Sequence, residues 1–284
     1  MIYQIILYNN LIYKPFENNT NILNKKLKNI QWRNKMKVGF STLALFMKPI
    51  EEILEIGKND RFELIEILTE GFYNPEYLLK NKEMLEPFKS YDYDYYLHAP
   101  TVDLNLASIN PGIRKESVRQ TLKALELGNE IGAKAVTIHP GQIGRIEDRI
   151  RNMGLKLSKE SIKECVKYSE GIETKISVEN MPGKPKFLCT KPEELENIVE
   201  ETNCSITIDL GHANTCNNTE KFLDIPNIAY CHLSDNNGEK DQHNILGQGT
   251  LDLNLLKKVK NGILELNNYN KVLESKKVLE KMNL

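Results

Sequence analysis

The sequence predicts an α/β fold, a closed (β/α)8 TIM barrel in a single domain, and three observations predict it. From Lys37 onward, short β-branched or aromatic runs alternate with longer stretches of helical period. Eight such runs fall between Lys37 and Glu274, so the βα units average about 30 residues, the count and size of a barrel. All five histidines stand at the ends of these runs or in the loops leaving them, as chemistry confined to one barrel mouth requires. A doubly wound open sheet is the competing architecture, but no GxGxxG follows the first strand.

In chain order, residues 1–35 stand apart. After a short apolar start, Tyr8 to Lys35 is dominated by Asn and Lys, without a sustained period. We expect an N-terminal extension over 1–35, disordered or not native to the protein, with Met36 opening the barrel domain over 36–284; a short hairpin or arm packed outside is the alternative. The predicted strands are Val38–Ser41, Phe62–Leu68, Tyr95–His98, Ala135–His139, Lys175–Glu179, Ile206–Asp209, Ile228–Leu233 and Lys271–Glu274. Between them, Pro111 opens a helix that shows Val118, Leu122 and Leu125 on one face, and Gly132 closes it. Thr190 and Glu193 are spaced as a capping box for another helix. A further helix follows Asp252, carrying Leu255, Leu256 and Val259, and a short one follows Ser275.

Composition excludes several classes. With 284 residues, 40% hydrophobic and 27% charged, the chain buries a full core. A net charge of -1 announces no overall basic field for nucleic acid, leaving only local basic faces. The five cysteines are odd in number and lack CxxC spacing, against a disulfide framework or zinc ribbon and in keeping with a reducing cytoplasm. No apolar run approaches the roughly 18 residues of a membrane span, so no membrane partner is expected.

Chemistry concentrates between Ile206 and Asp252. Asp209, His212, His232, Asp241 and His243 each follow a short apolar run, and Asp241 and His243, two apart, face one side of an extended segment. Nitrogen and oxygen donors of this kind suit zinc and similar cations. His98, His139, Glu179 and Glu274 add strand-end groups. Nine such side chains at one mouth leave many buried polar atoms in need of partners, and divalent cations supply them economically. Glu66, in the second strand, faces either the same mouth or the surrounding helices. Gly247-Gln248-Gly249 reads as the turn that brings the Asp241–His243 loop inward, and Cys189, Cys216 and Cys231 as packing residues.

In this order the segments HAP, HPG, VEN, DLGH, HLSD, DQHNILGQG and VLES resemble the endonuclease IV group, AP endonuclease family 2, within the xylose-isomerase-like TIM barrels, from Val38 to the C-terminus. The resemblance implies a three-zinc site, with manganese or another divalent metal as alternatives. It assigns His98 and His139 to one ion, Glu179 as a bridge to the second, Asp209, His232 and Glu274 to that second ion, and His212, Asp241 and His243 to the third. Glu179 is thereby the catalytic residue. The implied activity is phosphodiester hydrolysis in DNA repair, on the 5′ side of an abasic site in DNA. Where the family has Tyr after HAP, this chain has Thr101, and the mouth cations are Arg145, Arg149, Lys184, Lys186 and Lys276. The alternative from the same fold is a sugar or sugar-phosphate isomerase or epimerase with one metal at Glu179, Asp209, His232 and Glu274; a barrel that binds without turnover is a third reading.

Overall fold

Eight parallel strands close in sequence order, β8 returning to β1, in a computed structural model that describes residues 35–284. They are β1 Lys37–Ser41, β2 Leu64–Leu68, β3 Asp94–His98, β4 Ala135–Ile138, β5 Lys175–Glu179, β6 Ser205–Asp209, β7 Ile228–Leu233 and β8 Asn261–Leu264. The barrel expectation is met; the expected N-terminal extension falls outside the described residues. No helix among those residues is long and apolar enough to cross a membrane.

Strand alternation sorts the side chains. Phe40, Ile65, Ile67, Leu97, Val136, Ile176 and Ile208 pack outward into the large core shared with the helices. Inside the barrel, Leu64, Tyr96, Ala135, Tyr230 and Ile263 fill the bottom layer. Above them the interior turns polar, so the carboxyl ends of the strands carry the titratable groups. Tyr91, Tyr93, Tyr95 and Tyr96 are packing residues: Tyr91 stacks on Tyr93, and Tyr96 lies against Tyr230.

The helix Pro111–Ile131 has the ends the sequence requires. Asn110 Oδ1 accepts from Gly112 N at 2.9 Å, and Gly132, at φ 72°, ends it in the left-handed conformation. The proposed capping box is not formed. The helix Pro192–Thr202 begins after Lys191 without a side-chain cap, because the Thr190 hydroxyl instead accepts from Arg151 at 3.2 Å. Arg151 also makes a bidentate pair with Glu194 and donates to the carbonyls of Pro185 and Phe187, tying the β5 loop to two helices. After Asp252 the chain forms a 3-10 helix, Leu253–Lys258, rather than an α-helix.

The eighth strand is the main correction. Asn261–Leu264, not Lys271–Glu274, closes the barrel, pairing Gly262 with Cys231 on one side and Val38 on the other. Lys271–Glu274 lies inside the helix Tyr269–Lys281. Asn268 caps that helix by accepting from Asn270 N at 2.9 Å, and Val272, Ser275 and Leu279 form its buried stripe. Lys276, on the same helix, pairs with Glu280 at 2.7 Å instead of lining the mouth after a strand.

Candidate metal centre

Six strands, β3 to β8, carry a ligand-type side chain at or just past their carboxyl ends. His98 ends β3, His139 follows β4, Glu179 ends β5, Asp209 ends β6, His232 is the penultimate residue of β7, and Glu265 follows β8. Two groups have donor atoms all within 4.8 Å of one another: His98, His139 and Glu179, and then Glu179, Asp209, His232 and Glu265. Glu179 belongs to both. Its Oε2 faces His139 Nε2 at 3.1 Å and His98 Nε2 at 3.5 Å, while its Oε1 faces His232 Nδ1 at 2.9 Å and His212 Nδ1 at 3.7 Å.

A third trio is joined through one atom. Asp241 Oδ2 lies 3.2 Å from His212 Nε2 and 3.1 Å from His243 Nε2. This trio is more open than the other two, which alone among the described residues draw together within 4.8 Å.

Of the nine sequence-predicted ligands, eight converge here and Glu274 does not. Glu274 is exposed on the C-terminal helix. Glu265 takes the place assigned to it, with Oε2 at 3.3 Å from His232 Nδ1. The signal that would have found it is GILEL, an apolar run ending in Glu as SVEN does. Glu66 lies inside the barrel but beneath the mouth: its Oε2 is 2.7 Å from His232 Nε2 and 2.5 Å from the Tyr230 hydroxyl.

The imidazoles are held before any ligand arrives. Nδ1 of His98 meets the Ala99 carbonyl at 3.0 Å, Nδ1 of His212 that of Asn180 at 2.9 Å, and Nδ1 of His243 that of Glu265 at 2.7 Å. A carbonyl only accepts, so each Nδ1 carries a proton, and the Nε2 turned into the mouth is the nitrogen that loses its proton when the ring becomes neutral. His232 is reversed, with Nε2 on Glu66 and Nδ1 inward. Fixing the outer ring nitrogen in this way is the arrangement of metal-bound histidines.

The loop bearing Asp241 and His243 is fixed by buried Asp235. Its Oδ2 accepts from Gly247 N and Gly249 N, each at 2.9 Å, and its Oδ1 from Asn236 N at 2.8 Å and Leu251 N at 3.1 Å. A Cβ on Gly249 would lie 2.1 Å from the Asn236 carbonyl oxygen, so only glycine allows that approach. The Gly-Gln-Gly segment therefore serves the turn. Sequence reading singled out the turn and missed Asp235, its organiser.

Electrostatics set the demand for cations. Burial lowers the imidazoles, but neighbouring carboxylates outweigh it at four of them. Glu179 helps hold His98 up to about 9 and Asp241 helps hold His243 up to about 10. Asp209 and Asp241 raise His212 well above its ordinary value, as Glu265 and Glu66 raise His232. Burial raises the Asp209 carboxyl to about 7 despite His212 nearby. Burial also acts to raise Glu179, but His232 and the other imidazoles prevail and hold it well below the usual range. Glu179 Oε2, Asp209 Oδ2 and Asp241 Oδ1 are buried without a hydrogen-bond partner. Three carboxylate oxygens buried without partners, in a cluster of imidazoles that are themselves metal-type donors once deprotonated, fit divalent cations.

Beside His139 a cavity of about 260 Å³ opens, lined by Thr101, Asn105, Gln142, Lys186 and Phe187 among others. Glu70 Oε1 accepts from Thr101 N at 2.7 Å and Val102 N at 3.0 Å, which fixes one wall. The cysteines are all free, and burial pushes the Cys231 thiol up to about 12. None is presented as a nucleophile.

Comparison with known proteins gives the lineage. An uncharacterised protein of Methanocaldococcus jannaschii is 32% identical over 275 residues, 91% of this chain and 92% of that protein. A solved structure of a D-tagatose 3-epimerase-like protein is 31% identical, with a TM-score of 0.76 over 87% of this chain and 96% of that one. A probable endonuclease 4 of Aquifex aeolicus is 27% identical over 198 residues, 61% of this chain and 69% of that protein. The family model described as the xylose isomerase-like TIM barrel matches residues 50–275, and with its strand order, closure and strand-end residues the chain belongs to that family.

Proposed function

We propose that the protein is a metal-dependent phosphodiester hydrolase with three divalent ions, zinc foremost, acting on DNA at abasic sites. The observation that carries this reading is the two-sided use of Glu179, one oxygen toward His98 and His139 and the other toward His232. A proton-transfer site built on one ion has no use for the His98 and His139 side, nor for the His212, Asp241 and His243 trio.

His98, His139 and Glu179 would hold the first ion; Glu179, Asp209, His232 and Glu265 the second; and His212, Asp241 and His243 the third. Bound ions of this kind supply a water of lowered pKa and neutralise phosphate charge. The chain's own residues contribute orientation. Backbone carbonyls fix three rings, Asp235 fixes the loop, and the Glu179 carboxylate spans two groups, so little reorganisation remains for the reaction. The cavity beside His139 is of a size for a sugar unit, with Lys186 as its cation. The similarity to a probable endonuclease 4 supports a DNA substrate.

A second reading is favoured by the 31% identity to a D-tagatose 3-epimerase-like protein. In it Glu179, Asp209, His232 and Glu265 hold one ion, and two of these carboxylates exchange a proton with a ketose. Elemental analysis of protein purified without chelator, with nicking of an abasic-site duplex and epimerisation of ketoses assayed side by side, separates the two. Close to three ions per chain with cleavage lost in His212→Ala is the expected result. Close to one ion, with ketose turnover intact in His212→Ala, overturns it.

A further inference from the structure

Glu66 has no place in the ligand groups, yet it is among the most deeply buried charges in the chain, at 0% exposure. Its Oε2 receives the Tyr230 hydroxyl at 2.5 Å and lies 2.7 Å from His232 Nε2. Tyr230 in turn meets Thr137 at 2.5 Å, Thr137 meets Thr207 at 2.6 Å, and Thr207 meets Ser177 at 2.7 Å. This chain of hydroxyls crosses the barrel interior from β5 through β6, β4 and β7 to β2.

Its direction follows from proton counting. An ionised carboxylate only accepts, so Tyr230 donates to Glu66. A hydroxyl has one proton, so Tyr230 accepts from Thr137, Thr137 from Thr207, and Thr207 from Ser177. The same rule makes His232 Nε2 a donor to Glu66, which leaves Nδ1 of a neutral ring bare. That lone pair faces Glu179 Oε1 at 2.9 Å, Glu265 Oε2 at 3.3 Å and Asp209 Oδ2 at 3.7 Å. Three carboxylates around this nitrogen call for positive charge there, a second proton on the ring when no metal is bound or a metal ion in that proton's place. Glu66 Oε1 is buried without a hydrogen-bond partner, so all the protein hydrogen bonds of this carboxylate are made through Oε2.

We infer that Glu66, itself anchored by the hydroxyl chain, is a positioning residue that fixes the tautomer and angle of His232 by direct contact, and so sets the affinity of the central ion held with Glu179, Asp209 and Glu265. The inference rests on the metal-site reading above.

The test is zinc affinity by chelator competition, with X-ray absorption at the metal edge, for wild type, Glu66→Gln, Glu66→Ala and Tyr230→Phe, each checked for folding by circular dichroism. Glu66→Gln is expected to weaken one ion per chain by roughly 10–100-fold, the usual effect of losing an outer partner of a ligand histidine. The remaining ions stay at wild-type affinity, and Tyr230→Phe gives a smaller loss in the same ion. Folded Glu66→Gln and Tyr230→Phe proteins with every ion at wild-type affinity overturn the inference, whether or not Glu66→Ala folds. A wild type that binds no zinc removes the functional reading and this inference together, whereas normal wild-type binding with unaffected variants removes the inference alone.

Discussion

Glu265 and Glu274 each follow an Ile-Leu or Val-Leu pair, and only one of them reaches the mouth. Glu265 follows β8 and faces His232; Glu274 is exposed on a helix whose buried stripe is Val272, Ser275 and Leu279. Removing the charge at each position should therefore have opposite consequences. Glu265→Gln is expected to weaken the central ion by more than the roughly 10–100-fold that outer-sphere partners cost. Glu274→Gln is expected to leave metal content unchanged and stability within about 0.5 kcal/mol, as exposed substitutions do. Metal titration and urea unfolding of the two variants check this, and equal metal losses would sink the assignment. The local sequence did not distinguish these glutamates because a Val-Leu pair suits the period of a helix and of a strand equally well over four residues.

At the scale of elements, the loop after β7 shows how one buried carboxylate orders a stretch without helix or strand. Four backbone N–H groups converge on Asp235, and the Asp235 backbone pairs with Asn244 in both directions, at 3.0 and 2.8 Å. Hydrogen bonds to a buried carboxylate each contribute about 1.5–3 kcal/mol, and they are not additive. Asp235→Ala is expected to cost about 3 kcal/mol of unfolding free energy and to release the ion of the Asp241 trio while the other two remain. Asp235→Asn, keeping one acceptor oxygen, should fall between. Chemical denaturation with metal counting decides it; loss of all ions in parallel would mean that the loop supports the whole barrel rather than one trio.

For the whole molecule, the proposed metal centre would link proton and metal occupancy to stability. In the metal-free protein His98 is held at about 9 and His243 at about 10, against an ordinary 6.5. A raised folded pKa contributes stability that is fully present below about 6.5 and is lost as pH rises through 9 to 10. Cations need the same nitrogens bare, so their affinity rises across that window and their uptake releases protons. Thermal unfolding in chelator is expected to fall from pH 7 to 9.5, while saturating zinc adds a stabilisation that grows with pH. Calorimetry in buffers of differing ionisation enthalpy should show more than one proton released per chain at pH 7. Identical pH slopes with and without zinc would contradict the coupling of these histidines to the metal.

The sequence by itself determined the barrel, its first seven strands and eight of the nine converging ligand-type side chains. Each of these is a local property: a short apolar run, then a His, Asp or Glu at its end or in the loop that leaves it. Three things were decided only by the tertiary structure. Closure chose Asn261–Leu264 as β8, because that segment has neighbours to pair with on both sides and the Lys271 segment has a helix cap and a helical stripe. Register placed Glu66 one layer beneath His232, facing neither substrate nor the helices. The ring tautomers were set by carbonyls and carboxylates distant in sequence, as with Asn180 for His212 and Glu66 for His232. Pairing, depth and proton position depend on which strands become neighbours, and that is fixed when the barrel closes rather than by any short stretch of residues.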